Sequence, residues 1–141
     1  VSDARRAVEV CLREVERTFG DVYGNSAGHL EFQYTARASH ALNKAFGAPL
    51  GKAFGITVGA PAAIGVLLAD TAVKAATVDV VGCSTPGNGG TSYSNEVILT
   101  FSGDSGAVKQ AIIAARDVGM QVLGVMAPDE ELKSTTTPYI I

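Results

Sequence analysis

Ala7, Val8, Cys11, Leu12 and Val15 recur at the spacing of one helix face, while Arg5, Arg6, Glu9, Arg13, Glu16 and Arg17 fill the opposite one. Ser2 or Asp3 is placed to cap that helix. Gly20, Gly24 and Gly28 then interrupt the pattern. From His29 to Thr35 the period changes to two. Leu30, Phe32 and Tyr34 fall on one side and His29, Glu31, Gln33 and Thr35 on the other, which predicts a strand with one buried face. A short helix over residues 38–46 and a loop at Gly47, Pro49 and Gly51 follow. Residues 54–59 read as an apolar strand, and Pro61 suits the first turn of a helix over residues 62–76. Only Asp70, Thr71 and Lys74 make a polar stripe there, so that helix is expected to be largely buried. Residues 77–83 are β-branched and strand-like, 84–95 form a polar glycine-rich loop, and 96–101 are another strand. Asp104 or Ser105 starts a last helix with the stripe Ala107, Val108, Ala111, Ile112 and Ala115. From His29 onward the order is β-α-β-α-β-β-α, an α/β arrangement.

The first and last stripes share one spacing, each residue of the first standing 100 positions before its counterpart. With a sequence that opens on Val1, this suggests a tandem protein cut inside its first copy. Residues 1–24 would be the final helix of a preceding, truncated domain, 25–127 one complete domain, and 128–141 a C-terminal tail. Composition agrees with a packed fold. Of 141 residues, 47% are apolar and 18% charged, a balance that excludes disorder. Low charge and many small apolar residues also point to outer surface that meets other protein. The net charge is −3, and no basic cluster exceeds Arg5-Arg6, so nucleic acid is not an expected partner. The most apolar run, residues 60–69, is shorter than the about 18 residues that cross a bilayer, so no membrane partner is expected either.

Candidate chemistry is sparse. Pro86-Gly87-Asn88-Gly89-Gly90-Thr91 has the glycines of a phosphate cradle, but a strand rather than a helix follows and no Gly-Lys-Ser/Thr is present. The simpler reading is a glycine-rich connection between strands. His29 sits on the polar side of its strand, and His40 lacks an acidic or Cys partner at i+4, so both read as surface or interface histidines. Cys11 and Cys83 show no metal spacing and no basic neighbour, and read as buried thiols of a reduced, cytosolic protein. Asp70 and Lys74 stand one turn apart, acid first, as in a helical ion pair. No catalytic set, metal set or nucleotide motif emerges, so no cofactor is expected and a non-enzymatic role is favoured.

Ala69-Asp70-Thr71-Ala72-Val73-Lys74-Ala75-Ala76-Thr77-Val78 resembles the A-D-A-M-V-K-A-A-N-V helix of bacterial microcompartment shell domains. Phe101-Ser102-Gly103-Asp104 with Ala107-Val108-Lys109-Gln110-Ala111 is similar to the same family's G-D-V-x-A-V-x-x-A segment, and Tyr34-Thr35-Ala36-Arg37-Ala38-Ser39-His40 more loosely to its I-P-R-P-H turn. That turn comes last in ordinary shell domains and first here, an order that resembles the circularly permuted kind. Phe19-Gly20-Asp21-Val22-Tyr23-Gly24 and the closing Ser134-Thr135-Thr136-Thr137-Pro138-Tyr139-Ile140 resemble the tandem-domain subfamily of propanediol- and ethanol-utilisation microcompartments, C-terminal half.

The resemblance implies an α/β sandwich with a mainly antiparallel sheet and flanking helices. It also implies trimers of tandem chains forming pseudohexameric tiles, which join other shell proteins in a microcompartment shell in the bacterial cytoplasm. Such tiles pass small alcohols or diols through pores and are not themselves enzymes. Lys74 matches the family's tile-edge lysine, and Arg37 the arginine that reaches into a neighbouring tile, although Ala36 and Ala38 replace its flanking prolines. By position, Thr85, Pro86, Gly87, Asn88, Gly89, Gly90, Thr91, Ser92 and Tyr93 correspond to the pore loop, longer here than the family's short K-I-G-S-G type. Hydroxyls and amides of that kind exchange hydrogen bonds with a neutral diol. Glu31 and Gln33 are a second candidate set, lining a channel between the two domains of a subunit. The rival readings are a small-metabolite-binding regulatory α/β module and an accessory subunit of a diol-processing enzyme.

Overall fold

The computed structural model describes residues 2–18 and 22–135. Helix α1 (Ser2–Thr18) is followed by a hairpin of strands β1 (Val22–Asn25) and β2 (Gly28–Thr35), helix α2 (His40–Phe46) and strand β3 (Ala53–Ala60). Helix α3 (Ala62–Ala75), strands β4 (Asp79–Ser84) and β5 (Val97–Gly103), helix α4 (Ser105–Met126) and strand β6 (Lys133–Thr135) complete the order. The strands form one sheet in the order β4-β5-β3-β2-β1-β6. Every pairing in it is antiparallel.

Alternation along the strands divides the apolar residues between two faces. Leu30 and Phe32 of β2 and Leu99 and Phe101 of β5 join Leu68 and Ala72 of α3 and Val108, Ala111, Ile112 and Ala115 of α4 in the main core. The approach of α3 to the sheet depends on two glycines that face each other. A Cβ on Gly59 would come within 2.7 Å of the Gly65 Cα, and one on Gly65 within 2.6 Å of the Gly59 carbonyl oxygen. On the other face, Phe54 packs with Ala38 and Ala48 in a smaller cluster under α2. Its ring lies 5.5 Å from that of Phe46. Ser39 caps α2 by accepting from the Leu42 N–H, and Gly47 ends the helix in the left-handed region at φ 72°.

The structure departs from the sequence expectations in several places. Residues 22–25 are not a glycine break but a strand, because Tyr23 brings an apolar ring onto the core, 6.4 Å from Phe32. The short polar strand β6 pairs outside it. Helix α3 is not largely buried. It packs on the sheet and α4 through Ile64, Gly65, Leu68 and Ala72, and leaves Val66, Leu67 and Val73 exposed. A helix lying on one layer hides one side only. Cys11 and Cys83 are exposed, contrary to the expected buried thiols. Cys11 shares the uncovered stripe of α1 with Ala7, Val8 and Leu12, and Cys83 lies on the sheet's edge strand. The side chain of Val15, residues 19–21 of the Phe19–Gly24 motif and residues 136–140 of the closing motif lie outside the described residues.

Candidate functional site

The antiparallel register sends the candidate residues to opposite ends of the sheet. Strand β3 begins beside Gly103, with Phe54 opposite Thr35, and ends with Ala60 opposite His29. Helix α3 then runs back along the sheet, and the chain beyond it brings the Thr77 carbonyl over Gly103. Lys74 and Arg37 therefore lie toward the end where β3 begins. The loop 85–95, between the end of β4 and the start of β5, lies at the other.

At the first end the two side chains stand on simple supports. Lys74 is in the last turn of α3, where Nζ donates to Asp70 Oδ2 at 2.6 Å with both side chains more than half exposed. The i,i+4 pairing expected from the spacing is formed. Arg37 projects from the link between β2 and α2. The Thr35 hydroxyl donates to the Arg37 carbonyl at 3.3 Å, and the Ala38 N–H donates to the Lys52 carbonyl at 2.7 Å. Its backbone is anchored and its side chain is exposed.

At the second end, the loop is organised by its own polar groups. Asn88 Oδ1 accepts from the Thr85 N–H at 2.9 Å and the Gly90 N–H at 3.1 Å, and Asn88 Nδ2 donates to the Cys83 carbonyl at 2.9 Å. Thr91 is buried, its hydroxyl donating to the Glu96 carbonyl and its carbonyl accepting from the N–H groups of Ser94 and Asn95. Ser92 Oγ donates to the Gly89 carbonyl at 3.3 Å. Thr85 and Pro86 are half-buried, Gly87, Gly89 and Gly90 exposed, and Tyr93 fully exposed at the tip. The loop is a connection between strands, as the simpler reading held, with no helix behind it to bind phosphate.

Glu31 and Gln33 lie on the sheet face away from the main core. They border a concavity of about 340 Å³ whose wall is otherwise apolar: Val22, Phe32, Phe46, Ile56, Val58 and Ile98. The register explains this, since Glu31 is opposite Val58 and Gln33 opposite Ile56, with Ile98 and Thr100 next across β3. The apolar part of this surface was hidden in the sequence because the apolar run of residues 54–59 does not show which side chains face which side of the sheet. His29 is also better placed than the sequence indicates. His29 Nε2 lies 3.6 Å from Glu31 Oε1 and 3.7 Å from Glu96 Oε2, the second carboxylate arriving from just before β5. His40 is exposed at the start of α2. Among the described residues no group of three or more His, Cys, Asp or Glu could hold a metal ion, and no helix is long and apolar enough to cross a membrane.

Residues 53–133 match the family model of the BMC (bacterial microcompartment) domain. The chain belongs to the BMC domain family. The bacterial microcompartment shell protein PduB of Citrobacter freundii is 61% identical over 140 residues, 99% of this chain and 51% of its own length. Among solved structures, EtuB from Clostridium kluyveri matches with a TM-score of 0.88 at 51% identity, covering 99% of this chain and 60% of that one. A trimeric bacterial microcompartment shell protein PduB matches with a TM-score of 0.86 at 48% identity, over the same shares of the two chains. The chain spans about half the length of the curated relatives it matches. The BMC match begins with β3, so β1, β2 and α2 precede the matched span, in keeping with the permuted order read from the turn around Arg37.

Proposed function

We propose that this chain is one permuted BMC domain of a shell tile subunit, a wall-building protein without catalytic activity of its own. Three tandem chains would close each pseudohexagonal tile of a microcompartment shell in the bacterial cytoplasm. Residues 1–24 would supply the final helix of the neighbouring domain in the same subunit, 25–127 the complete domain, and 128–141 its tail. The exposed apolar stripe of α1 would then be covered by that neighbouring domain. The observation that carries the reading is the separation of the candidates along the sheet. Arg37 and Lys74 sit at one end of the sheet and the hydroxyl- and amide-rich loop around Tyr93 at the other, a separation that supports edge roles for the first two and pore lining for the loop. A flat tile needs its borders and its central opening on opposite ends of each domain. Exposed Val66, Leu67 and Val73 on α3 also suit a surface covered by other protein.

The pore would pass neutral alcohols or diols, because hydroxyl and amide groups exchange hydrogen bonds with such solutes without holding an ion. Glu31 and Gln33 would line a second passage between the two domains of one subunit. The test uses the full-length protein in which this chain occurs. Size measurement should give a trimer and electron microscopy ordered sheets. Lys74→Ala should reduce the sheets while leaving the trimer folded, since an exposed helix pair contributes only a few tenths of a kcal/mol. A persistent monomer at high concentration, or turnover of a diol by the protein alone, would overturn the proposal. The 340 Å³ concavity favours the regulatory-module rival to this extent: a metabolite that raises the melting temperature at low concentration would point there instead.

A further inference from the structure

We propose that the apolar segment Tyr139-Ile140-Ile141, which follows β6 in the chain, turns back over the sheet and fills the concavity walled by Val22, Phe46, Ile56, Val58 and Ile98. The proposal does not rest on the tile reading. It starts from the unequal covering of the sheet's two faces. One face is packed under α3 and α4 in the main core. On the other, the seven-residue α2 covers Phe54 with Ala38 and Ala48. Beyond α2, among the described residues, the apolar wall is a concavity of about 340 Å³ rather than a packed layer. Ile56 and Ile98 are only half-buried there, so a covering group would gain from taking them out of water.

The register delivers the chain to this wall. Thr135, the last residue of β6, pairs with Val22, and Val22 pairs with Glu31. Val22 lines the concavity, so the chain leaves β6 one strand away from it. Because β6 is antiparallel to β1, it points past Val22 toward the row of Gln33 and Ile56, where Phe46 of α2 closes the far side. Adjacent strands stand about 4.8 Å apart, which puts β3 roughly 14 Å from β6. Residues 136–141 span roughly 20 Å when extended, enough to bring the tyrosine and both isoleucines over β2 and β3. Pro138 lacks the N–H that a further ladder bond would need, which suits a chain that stops pairing and turns out of the sheet. The chemistry is matched as well. Two aliphatic side chains and a ring would meet Val, Ile and Phe, and the phenol hydroxyl would find Glu31 or Gln33 at the rim.

The test uses the full-length protein and a synthetic peptide of residues 134–141. Chymotrypsin should cut after Tyr139 about tenfold more slowly or more in the protein than in the peptide, because the protease reaches only the released segment. Ile98→Glu, which puts a charge into the wall, should raise that rate to the peptide's while leaving cleavage at the exposed Tyr93 unchanged. In a variant combining Tyr139→Ser, Ile140→Ser and Ile141→Ser, the dye anilinonaphthalene sulfonate should fluoresce more strongly on the uncovered apolar wall, and added peptide should reverse the rise. Cleavage after Tyr139 as fast in the unsubstituted protein as in the peptide would overturn the proposal. Slow cleavage that Ile98→Glu leaves slow would also overturn it, by placing the segment elsewhere. A dye signal that the serines do not change would do the same: high in both proteins, the concavity is open to a ligand; low in both, a neighbouring domain covers it. If Ile98→Glu does not fold, the dye and peptide measurement on the serine variant decides alone.

Discussion

Arg37 and Lys74, at the end of the sheet where β3 begins, are carried by a capped link and a helical turn, and each reaches solvent as a single charged side chain. At the opposite end, residues 85–95 have no helix or strand under them, and their shape comes from Asn88 and Thr91 binding backbone groups. The difference lies in where order comes from. An edge residue on a helix inherits its position from the whole domain, so its immediate neighbours can change with little effect. A loop residue inherits its position from a few polar side chains, and loses it when one of them goes. In the tile proposed above, the same domain would present a tolerant border and an intolerant opening.

The largest effect should come from the support that both ends share. Gly65→Ala puts a methyl group 2.6 Å from the Gly59 carbonyl oxygen and 2.6 Å from the Val97 Cβ, so α3 must lift from β3 and β5. Alanine is the better helix former by about 1 kcal/mol, but overpacking of this kind costs about 1–3 kcal/mol and here meets rigid backbone. The steric term wins. Denaturant unfolding should show a net loss of about 1–2 kcal/mol, together with poorer sheets and weaker protection of the loop against amide hydrogen exchange. Stability equal to that of the unsubstituted protein would mean that the glycine pair does not set the helix position.

A smaller, one-sided effect is expected at Thr91. Thr91→Val preserves shape and removes the hydroxyl that donates to the Glu96 carbonyl, leaving that acceptor with one partner fewer. The expected loss is about 1–2 kcal/mol, with faster exchange at Ser94 and Asn95 and unaltered sheets. Sheets that fail while the loop stays protected would reverse the comparison, placing the opening and not the border in control of assembly.

How far the sequence disclosed this division depends on the kind of signal involved. The two-residue alternation of β2 and the stripe of α4 identified their buried faces correctly, because one covered side leaves a simple period. Apolarity on all sides of α3 gave no such period. It could not distinguish a helix buried in its own domain from one with Val66 and Val73 left for other protein. Strand β1 was hidden by its glycine and its shortness, and β6 by its polar Lys-Ser-Thr. The loop's polarity and position were legible, and Lys74 with Asp70 was legible from spacing alone. The division of labour inside the loop was not. Asn88, Thr91 and Tyr93 look equally available in a polar run, and only the placement of the Cys83 and Glu96 carbonyls distinguishes the two that are occupied from the one that is exposed. The approach of Glu96 to His29 needed the register of three strands.

Asp70→Asn should give the smallest effect and the sharpest comparison with Asn88. Both residues hold a neighbour by hydrogen bonds, but the Asp70–Lys74 contact lies in solvent on a helix that does not need it. Removing the charge should change stability by only a few tenths of a kcal/mol. The α3 backbone still projects Lys74 from the same turn, and under the proposed edge role an uncommitted ammonium on a long stem would reach acceptors on a neighbouring tile as readily as before. Sheets should therefore form at the same protein concentration as in the unsubstituted chain, unlike in Lys74→Ala. Equal loss of sheets in the two variants would make Asp70 part of the edge contact itself. The border would then depend on a local hydrogen bond in the way the opening does, and the contrast between the ends would no longer hold.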